Sequence, residues 1–125
     1  MKYVQTSKAP SAIGPYSQAV VVGDMVYTSG QIALTCDGIM LESDIKLQTK
    51  QVISNLRAVL QEAGSDLSKV VKTTIFLSDM DNFATVNNIY EKAFGNHKPV
   101  RSTVAVKTLP KEALVEIDAV AIIID

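Results

Sequence analysis

The sequence predicts an α/β sandwich (an α+β arrangement), in which two helices pack on one face of a single mixed sheet. Three observations support this fold class. Strand-like and helix-like segments follow one another as two strands, a helix, a strand, a helix and two strands. The two helical segments place their apolar residues on one face. The last strand carries apolar residues at odd and even positions alike, so both of its faces are expected to be covered.

The composition is that of one compact domain over residues 1–125. Of the 125 residues 47% are hydrophobic and 20% are charged, which suffices for a core without disulfides. Twelve basic and thirteen acidic side chains leave a net charge of −1, so no overall positive field favours nucleic acid. One cysteine and no apolar leader or membrane-length segment predict a cytoplasmic protein without membrane contact. One histidine and one cysteine cannot form a zinc cluster, and no metal is expected.

The first quarter of the chain predicts an irregular segment and then a hairpin. Residues 1–15 are interrupted by proline and glycine and are expected to be mostly irregular. Residues 19–22 and 25–29 have strand character, and the Gly-Asp pair between them is a two-residue turn signal. The hairpin is therefore expected to form two neighbouring strands of the sheet.

A loop and the clearest helix follow. Residues 34–42 have loop character, and residues 43–63 carry apolar side chains at the spacing of one helical face. Ser43 or Asp44 is expected to cap the start of this helix, and Gly64 to end it. The opposite face is rich in lysine, arginine and glutamate, as expected for a surface helix.

The next two elements are a strand and a shorter helix. Residues 70–77 are β-branched and aromatic, which is typical of a strand. Asp81 is predicted to cap the second helix, and Gly95 to follow its end. Its expected buried stripe consists of Phe83, Val86, Tyr90 and Phe94. Because two helices cover only one side of a sheet, the other side is expected to pack on further subunits.

Residues 99–121 hold the charges that first suggest chemistry. They are predicted to form a hairpin of two strands joined by a turn at residues 109–111. Arg101 opens the first strand, and Glu116 lies among apolar residues of the second. An isolated charge is costly to bury, so each of these side chains is expected to have a partner or a use.

Arg101, Glu116 and Asp118 each allow two interpretations. The Arg101 fork fits a carboxylate through two parallel hydrogen bonds, or it forms a salt bridge at the surface or at an interface. Glu116 can transfer protons with a pKa set by its apolar neighbours, or it pairs with a lysine or with Arg101. Asp118 shares the face of Glu116 and could act with it, although an ion pair with a lysine is favoured. An anion clamp near a proton-transfer group predicts a site for a small anionic molecule.

The remaining candidates lie in turn-like segments. Tyr16 can present its ring or hydroxyl to a ligand, or plug the edge of the core. Ser29 and Gly30 end a strand and could bind a carboxylate oxygen, but taken alone this dipeptide favours a structural role. Cys36 and His97 could form a nucleophile pair, yet no cysteine-hydrolase signature surrounds them, and His97 is expected in a solvated loop.

Together these segments resemble the RidA/YjgF family of reactive-intermediate deaminases over nearly the whole chain. The similarity is carried by ordered short motifs, among them GPYSQA at residues 14–19, TSGQI at 28–32, VKTTIFL at 71–77, RS at 101–102, LPK at 109–111 and VEI at 115–117. The resemblance implies a chorismate-mutase-like fold with a mixed six-stranded sheet and two helices on one face. It also implies a homotrimer that forms a central barrel, with sites between subunits.

The activity implied by the resemblance is hydrolysis of enamine and imine intermediates, such as 2-aminoacrylate and 2-aminocrotonate, to 2-keto acids and ammonia. Such intermediates are released by pyridoxal-phosphate enzymes, and their removal protects those enzymes. The resemblance implies a small 2-imino or 2-keto acid as the ligand, and it implies no cofactor. A non-catalytic regulator that binds small carboxylates is the alternative. A ribonuclease or translation inhibitor is less favoured, because the chain lacks a pair of histidines and a basic charge.

The resemblance also assigns roles to residues. It implies that Arg101 binds the substrate carboxylate, that Ser29 and the Gly30 amide contact the ligand, that Tyr16 closes the site and that Glu116 positions the attacking water. We expect Arg101 and Glu116 to form one half of a cleft, with Tyr16 supplied by the neighbouring chain.

Thr103 departs from the family pattern, since many members have Cys at its position. It is assigned here as a substrate-binding residue through its backbone or its side chain. If the side chain takes part, the change is expected to affect substrate range.

Overall fold

The computed structural model describes residues 1–123 and confirms a mixed sheet with two helices on one face. Within that range the six strands are Lys2–Val4 (β1), Ala19–Val22 (β2), Met25–Thr28 (β3), Val70–Leu77 (β4), Val100–Ala105 (β5) and Val115–Ile122 (β6). The two α-helices are Ile45–Glu62 (α1) and Phe83–Phe94 (α2). Residues 124 and 125, the end of the predicted domain, lie outside the described part.

The strand order is β1-β2-β3-β6-β4-β5. Strands β4 and β5 run parallel and are connected by α2, whereas the other neighbours are antiparallel. The predicted hairpin of residues 99–121 is therefore wrong, because β6 lies between β3 and β4 and does not pair with β5. Burial explains the arrangement. Alternate residues of β6 are fully buried and fit the centre of the sheet, while β5 is exposed along most of its length and fits an edge.

The main core lies between the sheet and the helices. Side chains alternate across a strand, so Val115, Ile117 and Ala119 of β6 point to this core and their even-numbered neighbours point away. The helices bury the stripes that their periodicity predicts, including Leu56 of α1 and Val86 of α2. None of the helices in the described residues is long and apolar enough to span a membrane.

The helix boundaries confirm one predicted cap and correct another. Asp44 caps α1 by accepting a hydrogen bond from the backbone N–H of Leu47, and Gly64 follows the helix with a φ of 91°. Asp81 does not cap α2. A short 3-10 turn, Met80–Asn82, precedes this helix, and the side chain of Asp79 caps that turn instead. An aspartate in a tight turn is satisfied locally and is easily mistaken for a helix cap.

The amino-terminal segment contains one strand that the residue pattern did not predict. β1 has three residues and pairs with β2 at the edge of the sheet. Two of its three residues are exposed, so it shows no alternation of apolar and polar residues. The rest of the segment up to residue 15 is irregular, as predicted.

The face of the sheet opposite the helices is only partly covered. The loops around Ile32 and Leu109 form a second, small apolar cluster at one end of this face. Elsewhere it carries apolar side chains that are 43–68% exposed, namely Tyr3, Val22, Tyr27, Val100 and Val104. We call it the open face. Such a patch on a sheet is typical of a surface that other chains cover.

Candidate active site in two halves

A cavity of about 320 Å³ lies on the open face at Glu116. Its apolar lining comes from the amino-terminal segment and from the two loops of the small cluster, and includes Ile13, Ile32 and Pro110. Its polar groups belong to Tyr16, Gln18, Gly30, Gln31, Lys111 and Glu116. An apolar cavity with a few convergent polar groups is the usual form of a small-molecule site. We call it the Glu116 pocket.

Glu116 is half-buried, and its surroundings disfavour the charged form of its carboxylate. Burial raises its pKa above the ordinary value, and the negative charge of Asp118 on the same face raises it further. The pKa of Asp118 is also raised by burial, an effect that hydrogen bonds with Thr74 and the charge of Lys72 partly offset. Glu116 is therefore a stronger base than a free glutamate when ionised, and it retains a proton to higher pH.

Gly30 allows Glu116 to reach this position. A Cβ at residue 30 would lie 2.9 Å from the carboxyl carbon of Glu116 and still closer to one of its oxygens. The backbone at residue 30 is followed by Gln31, which exchanges two backbone hydrogen bonds with Ile117 of β6 (2.9 and 3.1 Å). This pairing brings residue 30 against β6, so only a glycine leaves room for the carboxylate.

Tyr16 stands at the rim of the Glu116 pocket and is 55% exposed. Ser29 lies nearby, but its hydroxyl donates to the carbonyl oxygen of Ser17 (2.5 Å), and its N–H donates to the carbonyl oxygen of Gln18 (2.9 Å). Both donors of Ser29 thus bind the segment that carries Tyr16.

Arg101 lies in a second cavity, of about 350 Å³, between β5 and α2. Its Nη1 donates to Oδ1 of Asn87 (2.7 Å), and its guanidinium carbon lies over the rings of Tyr90 (5.0 Å) and Phe83 (5.6 Å). The hydroxyls of Tyr90 and Thr73 are 2.7 Å apart. Helix α2 therefore orients the fork of Arg101 while the residue as a whole stays exposed.

The predicted grouping of these residues is wrong for the single chain. Glu116 and Tyr16 of one chain line the same cavity, whereas Arg101 lines the other. Glu116 points to the open face, and Arg101 points towards α2, because β4 separates their strands and the two residues occupy opposite faces of the sheet. One chain thus carries two separate cavities, one lined by Arg101 and the other by Glu116.

Three further residues named in the sequence analysis lie elsewhere in the structure, and one of them, His97, differs from its expected setting. The hydroxyl oxygen of Thr103 is buried and has no hydrogen-bond partner within residues 1–123. His97 is half-buried rather than solvated, and its Nε2 lies 2.6 Å from the carbonyl oxygen of Val70. Cys36 is exposed. In the described part of the chain no group of three His, Cys, Asp or Glu side chains is placed to hold a metal ion.

Sequence reasoning missed the supports behind the site. The sequence predicts Tyr90 only as a core residue, but its ring also packs against the guanidinium of Arg101. Gln18 received no role, although it is buried and lines the Glu116 pocket. Its burial comes from hydrogen bonds with Thr6 and Pro10, which no local sequence pattern shows.

Comparison with known proteins decides the family. The family model described as "Endoribonuclease L-PSP" matches residues 6–123. The chain belongs to this family. It is also known as the RidA/YjgF family, so the resemblance inferred from the motifs is confirmed.

Relatives in the family match along nearly the whole chain. A RutC family protein of Synechocystis sp. is 51% identical, and the match covers 98% of this chain and 97% of the relative. The human 2-iminobutanoate/2-iminopropanoate deaminase is 43% identical, with 97% of this chain and 89% of the human protein covered.

Solved structures of the family share the fold. A protein of the conserved Rid family from Yersinia pestis is 49% identical with a TM-score of 0.95, covering 97% of this chain and 98% of the other. TdcF of E. coli, solved with bound serine, is 39% identical with a TM-score of 0.93, covering 98% of each chain.

Proposed function

We propose that this chain hydrolyses small enamine and imine acids, such as 2-aminoacrylate and 2-aminocrotonate, to 2-keto acids and ammonia. The observation that carries the proposal is the half-buried Glu116 in an apolar cavity, with a raised pKa and with Gly30 leaving room for its carboxylate. The 2-iminobutanoate/2-iminopropanoate deaminases among the relatives support the same chemistry.

The working site is proposed to form between copies of the chain in a trimer. Arg101 and Glu116 are on opposite faces of the same sheet, so they reach one small ligand only if different copies supply them. The exposed apolar side chains of the open face support an assembly that covers this face. In this arrangement the Arg101 fork of one copy faces the Glu116 pocket of the next, with Tyr16 at the rim.

The reaction follows from these two groups. Arg101 binds the substrate carboxylate through two parallel hydrogen bonds, while Asn87 and Tyr90 keep the fork oriented. The enamine gains a proton on its terminal carbon and loses one from its nitrogen, which gives the imine. Water held by Glu116 then attacks the imine carbon: a C–O bond forms, the C=N double bond becomes single, and one water proton passes through the carboxylate to the nitrogen.

The resulting carbinolamine breaks its C–N bond. The hydroxyl proton passes through Glu116 or water to the nitrogen, the C=O bond forms, and the nitrogen departs as ammonia. The sum is one water consumed, with one keto acid and one ammonia produced. The imine also hydrolyses unaided, so positioning and acid–base assistance suffice for acceleration.

A coupled assay tests the proposal. A serine dehydratase generates 2-aminoacrylate in situ, and pyruvate is followed with and without this protein. We expect faster pyruvate formation with the wild-type chain, none of this acceleration with Arg101→Ala, and little with Arg101→Lys, whose single ammonium cannot form the fork. A wild-type rate equal to the spontaneous rate would falsify the proposal.

A second candidate is a regulator that binds small carboxylates without turnover. TdcF with bound serine favours it, because a relative holds an intact amino acid. Calorimetry with serine and 2-ketobutyrate separates the two functions. Binding that depends on Arg101, with no acceleration in the coupled assay, would support the regulator.

A further inference from the structure

The segment over residues 11–17 stands out beside the Glu116 pocket. It exposes two large side chains, Ile13 at 84% and Tyr16 at 55%, and both line the cavity. It has no helix or strand of its own. Its position therefore depends on how its two ends are held.

Ser29 holds the carboxyl-terminal end. Its hydroxyl proton is donated to the Ser17 carbonyl (2.5 Å), and its N–H to the Gln18 carbonyl (2.9 Å). A serine hydroxyl has one proton to donate, and a carboxylate can only accept. In this geometry the hydroxyl has no proton left for an anionic ligand. Its hydrogen bond therefore stabilises the position of the 11–17 segment.

Gln18 holds the other end. Its Oε1 accepts from the N–H of Thr6 (2.7 Å), and its Nε2 donates to the carbonyl oxygens of Thr6 (3.0 Å) and Pro10 (2.9 Å). The residue is 3% exposed. Both amide hydrogens are thus used inside the protein, and a buried amide with satisfied partners fixes local backbone strongly.

We propose that Ser29 and Gln18 are positioning residues, which clamp the two ends of the 11–17 segment and thereby place Tyr16 over the Glu116 pocket. This proposal deepens the function proposed above and rests on it for the part that concerns catalysis. Between the two clamped ends, the N–H of Tyr16 donates to the Gly14 carbonyl (2.9 Å). This hydrogen bond forms a tight turn at residues 14–16, beside the cavity that Tyr16 lines. Ser29 acts on the ligand through Tyr16 rather than by touching it.

A fluorescence experiment tests the clamp without any assay of activity. The chain has no tryptophan, so Tyr16→Trp introduces a single reporter at the tip. Acrylamide quenching of this reporter is compared with and without Ser29→Ala. The lost hydrogen bond, worth about 1 kcal/mol, is expected to raise the open fraction of the segment about fivefold and to increase quenching.

Thr28→Val is the matched control for this measurement. It also deletes a hydroxyl, but that hydroxyl accepts from the N–H of Ala119 and does not bind the segment. Increased quenching with Ser29→Ala alone supports the clamp. Equal quenching in the parent, Ser29→Ala and control proteins overturns it.

A double-mutant cycle tests the catalytic part. If Ser29 acts through Tyr16, then Ser29→Ala raises KM in the parent protein and changes nothing in a Tyr16→Ala background. Ser29→Thr, which keeps the hydroxyl, is expected to restore the parent KM. Independent losses that multiply in the double variant indicate direct ligand contact by Ser29 and overturn the proposal.

Gln18→Met extends the test to the second clamp. It keeps the length of the side chain but removes the amide, and it is expected to raise quenching as Ser29→Ala does. Should this variant not fold, Ser29→Ala still decides the question, because its small cost leaves the core intact. If the wild-type chain shows no deaminase activity, the proposed function fails while the quenching result still tests the clamp.

Discussion

The carboxylate of Glu116 occupies the space into which a side chain at residue 30 would project. A Cβ built there lies within 2.9 Å of the carboxyl carbon, closer than two unbonded carbon atoms approach. Gly30 is thus a steric requirement for the position of Glu116, in addition to the amide contact with ligand that the family resemblance implies. The relationship can be tested separately from any ligand contact.

Gly30→Ala is expected to fold and to lose activity. The overlapping atoms belong to the end of a side chain that can rotate, so the carboxylate moves aside at small cost to stability. The displaced base is expected to lower the catalysed rate about 100-fold, as for a misplaced catalytic group. Thermal unfolding measures whether the variant keeps its stability, and the coupled pyruvate assay measures whether it loses activity. An active Gly30→Ala protein would show that the carboxylate need not occupy its present position.

Glu116→Gln is expected to lose catalysis and gain stability at neutral pH. Removing a general acid–base group costs about 100-fold or more in rate. Because the pKa of Glu116 is higher in the folded chain than in the unfolded one, the folded chain binds more protons between the two values, and stability falls as pH rises through that window. Glutamine does not ionise, so the Glu116→Gln protein does not lose stability in this way.

The stability gain of Glu116→Gln should therefore be present at neutral pH and vanish in acid, where the glutamate of both states is protonated. Denaturant unfolding across a pH series measures it. A gain that persisted unchanged into acid would mean that packing, and not the carboxylate charge, is responsible.

Asp118→Asn is expected to shift the pH profile. The charge of Asp118 is one cause of the raised pKa of Glu116, so its removal lowers that pKa. The catalysed rate is expected to rise with pH as Glu116 ionises, and this rise should move to lower pH in the variant. Lys72 and Thr74, which contact Asp118, are expected to stay in position. Glu62→Gln, an exposed change on α1, is the control. Equal profiles for Asp118→Asn and wild type would count against coupling of the two carboxyl groups.

Two substitutions at Tyr90 separate its ring from its hydroxyl. Tyr90→Leu removes the surface under the Arg101 guanidinium and is expected to weaken ligand binding by about 0.5–1 kcal/mol. Tyr90→Phe keeps the ring but leaves the Thr73 hydroxyl unpaired, so it should cost stability of about 1 kcal/mol and spare binding. Calorimetry with serine and thermal unfolding give the two readouts. Weaker binding in Tyr90→Phe would assign the effect to the hydroxyl.

Thr103→Val is expected to stabilise the protein. The Thr103 hydroxyl is buried without a partner among the described residues, and such a group costs about 1 kcal/mol or more. Valine has the same shape without the polar atom. Unfolding at matched protein concentration measures the gain. If the hydroxyl instead binds substrate, KM rises in this variant, and the backbone role of residue 103 is refuted.

Much of the architecture could be predicted because it depends on local periodicity. The stripe through Leu56 identified α1, and the β-branched run of β4 identified a strand. The three-residue β1 was missed, since an exposed edge strand has no apolar alternation to detect. Asp81 was mistaken for a cap because the 3-10 turn before α2 also attracts aspartate.

Taken alone, the sequence identified the candidate residues for the chemistry. Arg101 and Glu116 stand out because a charge among apolar residues is costly, and this cost is visible in any local window. The tertiary structure decided how they are arranged. Strand order and the face on which each side chain lies depend on pairing between distant segments, and here the insertion of β6 between β3 and β4 separates the two residues. Such pairing depends on which faces of the whole sheet are buried, and a short stretch of sequence does not hold this information.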